Sequence, residues 1–105
     1  MKVIWSPLAI ERAYEEASYI AQDKPEAALN WLHHLFSSTD RLERFPLSGR
    51  IVPEVGLNEY REIIYKSHRV IYRVDKASVA ILTVRRASRL LDREEVIIDD
   101  QSTSR

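Results

Sequence analysis

The sequence predicts an α+β fold of order β-α-α-β-β-β, an N-terminal strand followed by an αα-hairpin packed on an antiparallel sheet. Three observations lead there. Small and apolar residues recur at helical spacing in two segments before position 46, the run from 59 to 86 alternates with a period of two, and proline, glycine and short polar clusters separate the pieces.

"KVIW" at the N-terminus suits a strand, and "SP" hands over to a helix with Ser6 as N-cap and Pro7 in its first turn. Ala9, Ala13, Ala17 and Ile20 then form a small-residue face, with Ile10 and Tyr14 beside it and Glu11, Arg12, Glu15 and Glu16 on the other side. Small side chains let a second helix approach closely. That helix starts in "DKPEAA", capped by Asp23 or Lys24, and its apolar stripe is Ala28, Trp31, Leu32, Leu35, Leu42 and Phe45 until Pro46 stops it. "PLSGRIVPEVGLNE" is a loop punctuated by Pro46, Gly49, Pro53 and Gly56, of a length at which loops often carry function.

Three strands follow at 59–65, 68–74 and 79–86, joined by short turns at Lys66-Ser67 and "DKAS", which makes neighbours antiparallel. In the second, His68, Val70, Tyr72 and Val74 share one face and Arg69, Ile71 and Arg73 the other. One face is expected to pack on the helices and one to face water or a ligand. Beyond a helical turn near Leu90, residues 94–105 read as an acidic, polar and mobile tail, leaving 1–93 as the single domain.

With 105 residues, 45% hydrophobic and 30% charged, the chain is sized for one core. No run approaches a membrane span or a signal peptide, so a cytoplasmic protein without membrane partners is expected. The absence of cysteine removes disulfides, thiolate chemistry and cysteine-ligated zinc, and two glycines leave no room for a phosphate-cradling loop. Neither a cofactor nor a metal is expected. His33 and His34 are helix neighbours and point apart, so they do not form a chelating pair. A Ser67-His68-Asp75 triad is rejected, because triads need geometry and these residues are spread along one hairpin. Trp5 and Trp31 read as core, and Tyr60, Tyr65 and Tyr72 as core or rim aromatics.

The formal charge of zero hides an asymmetry: residues 1–59 carry −3, 60–93 carry +6 and 94–105 carry −3. A basic segment inside a neutral chain attracts an acidic partner, since local field steers encounter.

Particular residues now carry a resemblance. "VIWSPLAIERAYEEASYIAQDKPEAALNWLHHL", "RLERFPLSGRIVPE", "YREIIYKSHRVIYRV" and "VAILTVRRASR", in this order over about residues 3 to 90, resemble the RelE/ParE superfamily of bacterial type II toxin–antitoxin toxins, and the first two are similar to its ParE branch. The resemblance implies a toxin that inhibits DNA gyrase and blocks replication, a role in plasmid stabilisation, and a cognate antitoxin that wraps the toxin with an initially disordered segment. RelE-like relatives are instead ribosome-dependent mRNA endoribonucleases, and fold alone does not choose.

For the nuclease alternative, the resemblance offers Lys66, Arg69 and Arg86. The C-terminal Tyr or His of such nucleases is missing from "RRASRLLDREEVIIDD", and arginine is a poor proton donor. A pI near 6.8 is also far from that of a polyanion binder, so direct nucleic-acid binding by the chain alone is not expected. A third possibility is an inactive module that still holds the antitoxin. The gyrase reading places the target-binding surface on Arg61, Arg69, Arg73, Arg85, Arg86 and Arg89, with Arg69 and Arg86 carrying most weight by resemblance. Arg61 reads equally well as a surface partner of Glu11 or Glu15.

Overall fold

The computed structural model describes residues 1–103 of the chain. Strand β1 (Lys2–Trp5) leads into helix α1 (Pro7–Ala21) and helix α2 (Pro25–Ser37), then a 3-10 turn over Asp40–Glu43. Strands β2 (Arg50–Ile51), β3 (Tyr60–Tyr65), β4 (His68–Val74) and β5 (Ser78–Arg86) follow, and helix α3 (Arg93–Thr103) ends the described chain. The five strands are ordered β1-β5-β4-β3-β2, antiparallel throughout except that β1 runs parallel to β5. The sequence-predicted order is recovered, with a short edge strand β2 added inside the expected loop.

Ser6 caps α1 as expected: its hydroxyl accepts the Ala9 N–H at 3.0 Å and donates to the Leu82 carbonyl at 3.1 Å, tying the helix start to β5. Helix α2 ends well before Pro46. The hydroxyls of Ser37, Ser38 and Thr39 donate to the carbonyls of His33, Leu35 and Phe36, a local alternative to the helical ladder that closes it early. Leu42 therefore enters the core from the 3-10 turn, while Phe45, assigned to the apolar stripe, lies exposed.

The sheet has a core on each face. Against α1 and α2 pack Ile63, Val70, Tyr72, Val79, Ile81 and Val84, facing Ala9, Ala13, Ala17, Trp31 and Leu35. On the opposite face Ile71 and Leu82 meet Val52 and Val55 of the loop and Val96 of α3. A bulge makes this second core possible: Ile71 pairs with Thr83 and Tyr72 with Ile81, so Leu82 is the extra residue that turns outward beside Ile71.

Two expectations change here. The second face is not open, because the loop and α3 cover it. Residues 93–103 form helix α3 where the sequence reading places a mobile polar tail over 94–105, and 104–105 lie outside the described residues. The segment "REEVIIDDQST" has no apolar stripe to announce a packed helix; among its described side chains Val96 has no exposure, and the buried Asp99 and Asp100 are met by arginines, Asp99 by Arg12 of α1 and Arg85 of β5, Asp100 by Arg73 of β4. Among the described residues, no helix is long and apolar enough to cross a membrane.

Candidate functional site

The six arginines of the sequence reading do not form one surface. Residues facing each other across a ladder share a sheet face, so Arg69 and Arg85 lie on the α3 side and Arg86, opposite His68, on the α1–α2 side. Tyr60 and Arg73 are likewise paired on the α3 side, and Arg61 and Tyr72 on the helix side.

On the α3 side the arginines are consumed by carboxylates. Glu62, with no side-chain exposure, receives Arg50 Nε at 2.5 Å and Arg69 Nε at 2.6 Å, while Arg69 Nη1 and Nη2 grip Glu54 at 2.8 and 2.7 Å. The Glu54 hydrogen bond raises the Arg69 guanidinium further above its ordinary value than burial lowers it, and in return Arg69 holds Glu54 below the usual carboxylate range. Arg73 is held in the same way by Asp75 and Asp100. Tyr60 donates to Asp100 at 2.6 Å, and burial followed by that bond pushes its phenol up to about 12. Arg85 binds Asp99 and Glu95.

These contacts explain the "PLSGRIVPE" segment. Tyr72 donates to the Pro46 carbonyl at 2.8 Å and accepts the Gly49 N–H at 3.0 Å. A Cβ on Gly49 would lie 2.5 Å from both the Glu62 carbonyl and the Tyr72 hydroxyl, so only glycine fits. Arg61 makes no pair with Glu11 or Glu15; it donates to the carbonyls of Leu47, Gly49 and Asn58 and to Asn58 Oδ1, clamping the loop.

The nuclease trio does not converge. Lys66 sits at the tip of the β3–β4 hairpin with φ 51° and its ammonium over the Tyr65 ring, Arg69 points to the α3 side and Arg86 to the α1 side. His68 is buried near Trp31, ring centroids 5.1 Å apart, with Nε2 3.1 Å from Glu16 Oε2 but poorly directed for a hydrogen bond. Burial pushes the Glu16 carboxyl up, yet the contacts from Arg86 and His68 outweigh it and hold the group below its ordinary value.

What the structure does bring together is Arg85, Arg86 and Arg89, in a groove of about 470 Å³ between α1 and the end of β5. Arg12, Glu15, Glu16, Val84 and Ser88 complete its lining. Sequence reasoning missed Arg12 and Glu16, which looked like solvent-facing residues of α1. The signal was available: both flank the Ala9-Ala13-Ala17 face one turn apart, the border where a helix meets its sheet. The guanidiniums of this groove suit a planar oxyanion, and the ordinary acid–base groups in its lining are the carboxylates of Glu15 and Glu16.

The family model described as the ParE toxin of the type II toxin–antitoxin system parDE matches residues 3–91. The chain belongs to this ParE toxin family. A solved structure of the chromosomal ParDE system from P. aeruginosa superposes with a TM-score of 0.73 at 18% identity, covering 84% of this chain and 97% of that one, and so shares the fold. The YoeB dimer from Staphylococcus aureus aligns with a TM-score of 0.46 at 23% identity over 81% of this chain and 94% of that one. No curated protein matches in sequence. Helix α3 of this ParE toxin lies beyond the residues that the family model spans.

Proposed function

We propose that this ParE-family toxin acts in the cytoplasm by inhibiting DNA gyrase, blocks replication, and is held inactive by a cognate antitoxin. The observation that carries the reading is the family match over residues 3–91. The site agrees with a protein-binding role: the groove presents arginines from α1, the end of β5 and the turn after it, a residue type favoured as an interface anchor. Burial of Arg69 between two carboxylates weighs against its stabilising a phosphorane.

The test is a purified-component assay with the free chain added to a gyrase supercoiling reaction and, in parallel, to translating ribosomes carrying a reporter mRNA, each repeated with antitoxin. Loss of supercoiling with intact mRNA, reversed by antitoxin, is the expected result. Cut mRNA with unaffected supercoiling would replace the reading with a ribosome-dependent nuclease, and no effect in either arm would leave an inactive antitoxin-binding module.

A further inference from the structure

The groove between α1 and β5 has an unused guanidinium. Asp99 occupies Arg12 and Arg85, Glu95 also holds Arg85, and Glu16 holds Arg86. Arg89 is exposed, its charge acts on Glu95 only at a distance, and no hydrogen bond or ion pair engages its side chain among the described residues. We propose that the groove is a carboxylate-binding site for an acidic segment of the protein this toxin inhibits, with Arg89 and Arg86 as its two prongs. This rests on the reading above in taking the toxin's target to be a protein.

Arg86 is the member able to share itself. Its side chain is 49% exposed against 13% for Arg85, its contacts to Glu16 are long at 3.2–3.3 Å, and Nη1 makes no hydrogen bond among the described residues. Its guanidinium lies over the Tyr19 ring, 5.2 Å from the centroid, which holds the plane in place while its edge can reach an incoming carboxylate. The second carboxylate exchanges with Glu16 rather than meeting an unpaired charge.

Carboxylate chemistry is favoured over a nucleic acid on three grounds. Every engaged guanidinium in the groove already holds a carboxylate, so the geometry suits that group. Glu15 and Glu16 stand in the lining and repel any anion, so they weigh more against a continuous run of phosphodiester charges than against a single carboxylate side chain. Among the described residues no aromatic lines the groove as a stacking platform for bases, and Tyr19 is already covered by Arg86.

The experiment follows the arginine Nε–Hε and Ser88 amide resonances of the full chain in low salt during titration with hexaglutamate, and with hexaglutamine, short oligothymidylate and inorganic phosphate as comparisons. Saturable shifts at the groove with hexaglutamate, weaker with the other three, are expected. Arg89→Ala should weaken binding about threefold or more, the size of an exposed charge pair, Arg86→Gln should weaken it further, and Lys24→Ala at the residue before α2 should leave it unchanged. Binding of oligothymidylate or phosphate as tight as that of hexaglutamate, shifts elsewhere, or no saturable shift would overturn the proposal. Supercoiling assays separate the two readings: groove binding without gyrase inhibition removes the gyrase target and keeps the site, whereas full inhibition by Arg89→Ala with Arg86→Gln removes the site and keeps the target.

Discussion

Replacing Arg69 with alanine should cost the fold far more than replacing the exposed groove arginines Arg86 or Arg89. The Arg69 side chain is 7% exposed and joins Glu62, with no exposure, to Glu54, so its removal leaves the buried Glu62 carboxylate with Arg50 alone. Breaking a buried pair by deleting one partner costs about 3 kcal/mol or more, because the remaining charge is uncompensated. In a domain of this size that corresponds to a midpoint lowered by roughly 12–20 °C. The assay is urea and thermal unfolding followed by tryptophan fluorescence. Replacing both buried partners, as Glu62→Leu with Arg69→Met, should recover most of the loss, since Arg50 and Glu54 retain 60% and 28% exposure and can be resolvated. An Arg69→Ala variant within about 0.5 kcal/mol of the parent, or a double variant worse than either single one, would refute this account of the network. If the account holds, lost toxicity in Arg69→Ala reports unfolding and says nothing about the target surface.

Gly49→Ala should destabilise by about 1–3 kcal/mol or prevent folding, because one of the three atoms its Cβ would meet is a β3 backbone carbonyl that cannot rotate away; chemical denaturation measures it. Acid should weaken the fold in a defined window. Glu54, through its bond from Arg69, and Glu16, where contacts from Arg86 and His68 outweigh burial, are both held below the ordinary carboxylate value of 4.5. Their contribution is therefore full above that value and lost as pH falls through the lower folded values, so unfolding free energy measured across this range should drop below about pH 4.5 and drop less in Glu16→Gln. Val96→Ala should cost about 1.5 kcal/mol from two lost methyl groups at a site with no exposure; an unchanged midpoint would mean that α3 contributes nothing to the second core.

Much of this fold is legible in the residues. "SP" marks the start of α1, its alanine spacing marks the face that meets the sheet and α2, and the alternation in "HRVIYRV" marks β4 to the residue. What escaped were features without local periodicity. The early end of α2 depends on three successive hydroxyls choosing helix carbonyls, and the two residues of β2 are too few to alternate. The bulge at Leu82 reverses the facing of β5 midway, so a strict period of two puts Arg85 and Arg86 on the wrong sides.

The sequence by itself determined the order of the elements, the helix-side core and the excess of basic charge in 60–93, because each follows from spacing or composition along the chain. Only the tertiary structure decided which arginines remain available. A guanidinium's role depends on which carboxylate the folded backbone brings within about 3 Å, and the partners come from far along the chain: Glu54 and Glu62 for Arg69, Asp100 for Arg73, Asp99 for Arg12 and Arg85. Ion pairing at that distance has no period in sequence, which is why a surface of six arginines resolved into a buried scaffold, a loop clamp and one groove with Arg89 open at its mouth.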